Sequence, residues 1–468
     1  MDYQIEKTAL WLDINPIITS KSKPVKFTYK GMLHTEVEDI PIMKIVAIDT
    51  VRDYMKSIGD YVHIEFIMSL GDYVSKLYPR RANLEFSIKT TTLQEIQVKK
   101  DPLIDDTIER YKAVFLPNEN KVISASELEQ FDQESLNKSD IITVKLQLLD
   151  RALEPLRIKT VSGVFRQVTQ KTMMHNLLAG ESNKVLVDGK PSIDGVDVVE
   201  PDNQLLVKNQ IIKDGTLLTE LPTYMQKHLG GVYSSGIGNY LQTYKSKKLW
   251  FVYPLFDPRR FDSLVDKCII YAVPERRFPE LDRTYLQDGS VIKILANGEK
   301  QYSDKADTEL MNKGSGFRMP NANSFMKKPL DLSNDQVKAR RANLNYEMIG
   351  RERADGLNYA PMSNQISSNP FNEYSKLIHR DLATITINWD HANPALIYPG
   401  MPCKYLYLVK EKVIELKGSI AYCHVYANLE GKGLQSELYR TRCQLVLQVE
   451  KTAYTPDQTT LKMTAGSF

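Results

Sequence analysis

The residues that most resemble a reactive site lie near the carboxyl end of the sequence. Cys423 and His424 are adjacent in the stretch AYCHVYA at 421–427, and Cys403 and Cys443 each lie 20 residues away. Thiolate and imidazole groups bind zinc, and a cysteine activated by a histidine is a nucleophile. The group is therefore interpreted as a metal site, a reactive thiol or the buried core of a β-sheet.

Strand periodicity separates these interpretations. Side chains alternate faces along a strand, so Cys423 and His424 cannot both reach one ion. Zinc sites contain closely spaced ligand pairs, and the sequence has no Cys-x-x-Cys. We therefore predict that the cysteines are small buried hydrophobic residues, with no metal and no cofactor. Ala421, Val425 and Ala427 share the face of Cys423, whereas Ile420, Tyr422 and Tyr426 share that of His424.

The remaining motifs do not define an enzyme. Gly236 and Gly238 lie in GGVYSSGIGNY at 230–240, but neither Gly-Lys-Ser/Thr nor the third glycine of a dinucleotide loop is present. They predict a tight turn. The 7 histidines form no His-Glu-x-x-His, and there is no Gly-x-Ser-x-Gly. A carboxylate pair of the glycosidase kind stays open, because nothing among the 58 acidic residues nominates one.

Composition narrows the class of protein. The 468 residues carry 61 basic and 58 acidic side chains, a net charge of +3, which argues against tight binding to nucleic acid through bulk charge. The first residues lack the features of a signal peptide, and no apolar run approaches the roughly 20 residues of a membrane span. The 4 cysteines do not make a disulfide scaffold. We expect folding in a reducing cytoplasm and no stable membrane association.

Alternating apolar residues dominate the chain and predict half-buried antiparallel strands at 61–70, 83–89 and 142–149. Helical spacing predicts helices at 164–180, ending at Gly180, and at 221–231, with Pro222 in the first turn and Gly230 as the stop. Asp188-Gly189, Asp288-Gly289 and Asn297-Gly298 predict turns.

The apolar residues of the last predicted strands indicate the core of a barrel. Alternation over 383–389, 403–409 and 442–450 directs one set of side chains inward. Trp389, Cys443, Leu445 and Leu447 are predicted core residues of this set. Before them, the residues from about 305 to 380 are rich in Asn, Ser, Pro and Gly, which predicts a long irregular insertion.

The stretch 393–451 combines Pro399-Gly400, Gly418, His424 and Tyr439-Arg440-Thr441 on successive predicted strands. This pattern resembles the closing barrel of the central hub protein of contractile phage tails, a tail-tube-like family shared with type VI secretion spike hubs. Pro-Gly forces a tight turn, and Gly418 is free to take backbone angles that other residues avoid. The stretch 221–262 resembles the family's "Gly-Val-Tyr … Gly" segment and the apolar strand that follows it.

The resemblance implies a mainly β fold with minor α: two tail-tube-like antiparallel β-barrel domains plus smaller α+β inserted regions. We assign 1–160 to an N-terminal barrel, 161–248 to a middle α+β region, 249–305 with 381–457 to a second barrel, 306–380 to the insertion and 458–468 to a tail. The residues expected to matter structurally are Pro399, Gly400, Gly418, Trp389, Cys443, Leu445 and Leu447.

The resemblance to the hub family also implies a function. Three copies would form a ring of six barrels that joins a sixfold tail tube or tube adaptor above to a threefold spike below, beside other baseplate proteins. DNA would pass through the lumen in transit only. The protein would belong to the virion baseplate and assemble in the host cytoplasm. Two alternatives remain: another tube-like component, such as a tube initiator or completion protein, and a cell-wall-degrading tail enzyme.

Overall fold

The computed structural model describes residues 2–19, 26–94, 103–116, 141–204, 206–263, 265–272, 284–299, 317–320, 344–348, 382–409, 412–430 and 437–450. Helix α1 spans Asp2–Thr19. The strands that follow are β1 Lys26–His34, β2 Asp39–Pro41, β3 Lys44–Asp53, β4 Tyr61–Ser69, β5 Leu84–Gln94, β6 Leu103–Phe115 and β7 Ile141–Asp150. Between β4 and β5, α2 Leu70–Asp72 continues into helical turns at Tyr73–Leu77 and Tyr78–Arg80.

The middle of the chain mixes helices and strands. Its elements are α3 Leu153–Ile158, β8 Thr160–Val168, α4 Gln170–Asn183, β9 Leu186–Val187, β10 Lys190–Pro191, β11 Gly195–Val198, β12 Val207–Leu217, α5 Leu221–His228, β13 Ile237–Tyr244 and β14 Lys247–Pro254. Strands β11, β14 and β13 form one sheet, and β8 pairs with β12 in a two-stranded ribbon. We call Leu153–Pro254 the middle region.

The rest of the described chain is β. Its strands are β15 Lys267–Ala272, β16 Tyr285–Asp288, β17 Val291–Glu299, β18 Phe317–Pro320, β19 Leu344–Met348, β20 Leu382–Asp390, β21 Pro402–Val409, β22 Lys412–Leu429 and β23 Tyr439–Glu450. Short 3-10 turns lie at Leu218–Glu220, Pro258–Asp262 and Pro394–Leu396. The mainly β fold with minor α is confirmed.

The large sheet closes twice. Around the first barrel the hydrogen-bonded order is β22, β3, β4, β7, β6, β5, β1 and β23, and β23 returns to β22. Around the second it is β22, β21, β15, β17, β20 and β23, which again pairs with β22. Strands β22 and β23, the shared strand pair, thus belong to both barrels. Within this large sheet, neighbouring strands are antiparallel except that β15 runs parallel to β17 and β21.

Separate hydrophobic cores fill the units. One lies inside each barrel, one under the middle region, and a fourth between α1 and the outside of the second barrel. In that fourth cluster Ile14 and Ile17 of α1 pack against Tyr271 and Leu295. Helix α1 was not predicted from the sequence.

Several local predictions need correction. The helix predicted at 164–180 begins only at Gln170, after Thr169, whose side chain accepts the N–H of Thr172. Val164, Phe165 and Val168 instead lie on β8, because their backbone pairs with β12.

Gly180 lies inside α4 and does not end it. The predicted helix at 221–231 is confirmed over Leu221–His228, with Pro222 in its first turn and Gly230, at φ +83°, beyond its end.

Two of the three predicted turns are present, and the third is not. Asp188 and Gly189 both have positive φ, 52° and 76°, and join β9 to β10. Gly289, with φ +58°, follows β16. Asn297-Gly298 is not a turn, because both residues lie within β17 and pair with Asn388 and Ile387 of β20.

Within the predicted insertion 306–380 the described residues are β18 and β19, an antiparallel pair. The rest of that segment and the tail 458–468 lie outside the described residues.

The position of Gly180 gives a simple stability test. Its backbone is helical and exposed, and a Cβ added there has open space around it. Glycine in a helix interior is less favourable than alanine by about 0.5–1 kcal/mol. We expect Gly180→Ala to stabilise the middle region by that amount in urea unfolding. A destabilised variant would contradict the helical assignment.

Candidate functional site

The cysteines lie in the core of the second barrel. Cys423 and Cys443 are hydrogen-bonded to each other across the shared strand pair, and Cys268 is the register partner of Cys403 on neighbouring strands. All four are free and buried. Burial raises the pKa of the Cys268 and Cys443 thiols. The hydrogen bond from Cys443, with help from Arg52, lowers the pKa of Cys423.

His424 lies on the opposite face of β22, where its Nε2 contacts the Asp49 carboxylate of β3. The neighbouring cysteine and histidine therefore face different environments. Within the described ranges, no three His, Cys, Asp or Glu side chains are grouped to hold a metal ion. Among the described helices, none is long and apolar enough to span a bilayer.

A β-bulge marks where β22 passes from one barrel to the other. Residues 412–419 pair with β21, whereas residues 422–428 pair with β3. The register with β23 shifts between Ile420 and Tyr422, and the carbonyl of Ala421 accepts the Tyr54 N–H at 3.1 Å. The extra residue corrects one prediction: Ile420 does not share the face of His424 but is buried in the core that holds Cys423.

Tyr253 joins three parts of the fold. Its ring lies between Gly238 of β13 and Gly400 of the loop before β21, and a Cβ at either glycine would overlap with the ring. Its hydroxyl donates to the carbonyl of Tyr54, at the end of β3, at 2.6 Å. Burial raises the pKa of Tyr253 well above its usual value, so the phenol stays a donor. The middle region and both barrels therefore meet on one side chain.

Gly400 is the glycine of the predicted Pro399-Gly400 turn. Its φ of +65° lies in the left-handed region that glycine favours. Its carbonyl accepts a hydrogen bond from Nη1 of Arg260 at 2.8 Å. The two stretches that resemble the hub family thus touch each other, because Gly238 and Tyr253 belong to one and Gly400 to the other.

A polar network surrounds this contact. Arg52 of β3 donates through Nε to Asp60 at 3.0 Å and through Nη1 to the carbonyl of Pro394 at 3.1 Å. Tyr240 donates to the other oxygen of Asp60 at 2.9 Å. Burial, the largest single influence, lowers the pKa of Arg52, but the Asp60 carboxylate together with Tyr54, Cys423 and Tyr240 outweighs it, and the net pKa is raised.

Gln242 extends the same network by accepting from the Tyr54 hydroxyl and donating to the carbonyl of Ile397 at 2.8 Å. Sequence reasoning missed Arg52, Asp60, Tyr240 and Gln242. Arg52 and Asp60 are 8 residues apart, but Pro394 lies 342 residues from Arg52 and Tyr240 lies 180 residues from Asp60. The available sequence signal was Gly238 and Gly400, the two predicted turn glycines between which the Tyr253 ring lies.

Gly418 lies where β22 and β23 approach closely. A Cβ there would overlap with the carbonyl oxygen of Gln448 and lie 2.8 Å from Cγ1 of Val449. Its φ is not among the positive values, so the requirement is space and not the unusual backbone angle expected from the sequence.

The remaining predicted residues lie in the core of the second barrel. Trp389 is fully buried, and its Nε1 donates to Oγ1 of Thr284 at 3.0 Å. Cys443, Leu445 and Leu447 of β23 are buried in the same cluster. Their importance for assembly stays a prediction.

The outer side of the sheet forms a continuous surface across both barrels. This outer wall is the outward face of β20, β23, β22, β3, β4 and β7, which are neighbours in that order. Its arginine and lysine side chains lie beside carboxylates: Arg442 beside Asp390 at 2.8 Å and Lys145 beside Glu65 at 4.0 Å. The outer wall therefore combines charged groups with little net charge.

One ion pair between the first barrel and the middle region predicts a pH dependence. Asp150, at the end of β7, pairs with Lys248 of β14 and accepts the Ala152 N–H at 2.8 Å. Burial on its own raises the pKa of Asp150, but Lys248 together with the backbone N–H groups of Ala152 and Leu153 outweighs burial and holds the pKa below its usual value. The net pKa of Lys248 is raised, because Asp150 outweighs its burial.

The depressed Asp150 pKa means that the pair stabilises the fold above about pH 4, the unfolded carboxyl value, and loses this effect as pH falls through the folded pKa. The raised Lys248 pKa keeps the effect complete up to about pH 10, the unfolded lysine value, and the effect is lost as pH rises further through the folded pKa. We expect Asp150→Asn to cost about 1–3 kcal/mol at pH 7 and less at pH 3. Urea midpoints of both proteins at each pH measure this, and an equal difference at both would refute it.

Comparisons with known proteins give only remote similarity. No protein-family model matches the chain, and a search of curated proteins gives no match. Among solved structures, the lidded PdpA-VgrG complex of Francisella aligns with a TM-score of 0.43 and 9% identity over 98% of this chain and 57% of that chain. The chain thus spans little more than half of that neighbour's length.

The 43 kDa tail protein of prophage MuSo2 from Shewanella oneidensis aligns with a TM-score of 0.45 and 8% identity, over 91% of this chain and 98% of that one. The lidless PdpA-VgrG complex aligns with a TM-score of 0.37 and 8% identity, over 93% and 66%.

Proposed function

We propose that this chain is a structural component of a phage tail, and specifically the trimeric central hub of a contractile-tail baseplate. The observation that carries the proposal is the pair of closed barrels fused through one shared strand pair. A chain that holds two barrels side by side presents six barrels when three copies close into a ring. Such a ring matches a sixfold tube on one side and a threefold spike on the other.

The junction supports this role. Tyr253, Gly400 and the Arg52–Asp60 pair hold the barrels and the middle region in one arrangement. A connector between tube and spike has to keep its barrels at fixed angles, since a displaced barrel breaks the match to the tube. Buried, mutually hydrogen-bonded side chains supply that rigidity.

We assign the outer wall to the lumen through which DNA passes. Polyanions bind tightly where cations are in excess, because phosphates displace counterions. The outer wall pairs its cations with carboxylates, as in Asp390–Arg442 and Glu65–Lys145. A surface of this kind lets DNA move past without holding it.

The predicted domain division is the N-terminal barrel at 1–160, the middle region at 161–248, the second barrel at 249–305 with 381–457, the insertion at 306–380 and the tail at 458–468. We keep it as part of the proposal with two changes. The middle region begins at Leu153, because Leu153 and Leu156 of α3 pack in its core. Because β14 pairs with β13 and β11, we move the join between the middle region and the second barrel to just after Pro254.

The partners proposed are the tail tube or its adaptor, the spike, other baseplate proteins and two further copies of the chain. The site of action is the virion baseplate, after assembly in the host cytoplasm. We propose no enzymatic activity, no cofactor and no stable membrane association.

Mass photometry of the purified protein tests the proposal. A trimer supports the hub, whereas a closed hexamer indicates a single-barrel tube component such as an initiator or completion protein. A peptidoglycan zymogram tests the enzyme alternative. A cleared band that survives purification and disappears in one carboxylate variant would overturn the structural role.

A further inference from the structure

The cysteines of the chain form two contacting pairs in the core of the second barrel. Cys268 of β15 is hydrogen-bonded to Cys403 of β21, and Cys423 of β22 is hydrogen-bonded to Cys443 of β23. All four are free thiols in the structure. Because every cysteine of the chain packs against another one, the core contains two candidate sites for oxidation to a disulfide.

The strand register distinguishes the two pairs. Cys268 and Cys403 are direct register partners on neighbouring parallel strands. The Cα atoms of such partners lie about 4.8 Å apart, which is the strand spacing, and a disulfide needs roughly 4.4–6.8 Å. Both side chains are fully buried in the same core, so they lie on the same side of the sheet. This pair therefore has the separation and the orientation that a disulfide requires.

The second pair is offset along its strands. Cys423 is the register partner of Leu445, and Cys443 is the register partner of Val425, so the two cysteines are diagonal neighbours. Diagonal residues on antiparallel strands lie roughly 7–8 Å apart, beyond the separation that a disulfide bridges without backbone movement. The shared strand pair would have to shift before this second bond could form.

We propose that Cys268 and Cys403 are a modification site, which dioxygen oxidises to a disulfide after the protein has left the reducing cytoplasm, whereas Cys423 and Cys443 stay thiols. Both S–H bonds of the first pair break and one S–S bond forms. Dioxygen takes up the two protons and two electrons and becomes hydrogen peroxide. The bond follows from the geometry of the barrel, and its timing rests on the virion location proposed above.

The disulfide would join two parts of the second barrel that are distant in sequence. Strand β15 precedes the insertion 306–380 and β21 follows it, and four register pairs connect the two strands. A cross-link that closes a loop of more than a hundred residues restricts the unfolded chain strongly. Burial raises the pKa of the Cys268 thiol, so little thiolate is present and oxidation is slow enough to follow folding.

Peptide mapping of the full-length protein tests the site without any substitution. One sample is purified under nitrogen, another is held for several days in air-equilibrated buffer, and free thiols of both are alkylated in denaturant. All four cysteines should be alkylated in the first sample. In the second, only Cys423 and Cys443 should be alkylated, and one peptide should link Cys268 to Cys403. Complete alkylation after aeration, or a link between any other two cysteines, would overturn the proposal.

Two alanine variants give the second readout. Cys403→Ala and its matched control Cys443→Ala each remove one buried thiol from the same core, but only the first removes the proposed bond. The urea midpoints of the wild type and of Cys443→Ala should rise on aeration and return to their starting values in dithiothreitol. The midpoint of Cys403→Ala should not respond to either treatment. The same response in all three proteins would count against the Cys268–Cys403 bond.

The oligomeric state separates this inference from the proposed function. A trimer that keeps all its thiols after aeration overturns the disulfide and leaves the hub standing. A protein that forms the Cys268–Cys403 link but no trimer supports the disulfide and overturns the hub.

Discussion

Replacing Tyr253 by alanine is expected to lower the free energy of unfolding by about 3–5 kcal/mol, the usual effect of truncating a buried aromatic residue. The ring fills the space between Gly238 and Gly400, so its loss leaves a cavity where the two barrels and the middle region meet. Urea unfolding followed by tryptophan fluorescence measures the change, because Trp250 and Trp389 lie buried on either side of this junction.

Tyr253→Phe is the matched control, since it keeps the ring and removes only the hydroxyl that donates to Tyr54. We expect a loss of about 1 kcal/mol, with the unpaired carbonyl as its cause. Equal effects of the alanine and phenylalanine variants would show that the hydrogen bond, and not the packing between the glycines, holds the junction.

Gly418→Val should be the most damaging change in the shared strand pair. Its Cβ would meet the backbone carbonyl of Gln448, which cannot rotate away as a side chain would. We expect a loss of about 3 kcal/mol or more, together with failure to form trimers. The measurements are urea unfolding and mass photometry of the same preparation.

Gly195→Val on β11 controls for adding a β-branched residue to a strand, because its Cβ would lie at an ordinary 3.4 Å from a Leu249 side-chain atom. We expect about 1 kcal/mol or less. Normal trimers from Gly418→Val would count against the role assigned to the shared strand pair.

The sequence predicts where strands occur better than it predicts which strands they pair with and in which register. Period-two alternation identified β4, β5 and β7, because half-buried strands bear their apolar residues on one face. Alternation assigned Ile420 to the wrong face, because a bulge shifts the register there. The turn predicted from the dipeptide Asn297-Gly298 was wrong, because both residues pair with β20. Local patterns contain no information about either long-range pairing.

The junction was harder to predict than the core. Trp389 and Leu445 are visible as apolar residues on alternating strands. Tyr253 and Gln242 form hydrogen bonds with partners more than a hundred residues away in the chain, such as the Tyr54 carbonyl 199 residues from Tyr253. Asp60 joins Arg52, 8 residues away, to Tyr240, 180 residues away. Gly238 and Gly400 were both predicted to mark tight turns, but their common contact with Tyr253 arises only when the three units pack.

Negative-stain electron microscopy of the purified protein tests the central claim most directly, because it shows how the paired barrels are arranged. A ring of three subunits with a central hole and a six-lobed outline is the predicted result. Rings of six subunits with one lobe each, or a compact particle without a hole after the spike protein has been added, would contradict the twin-barrel hub.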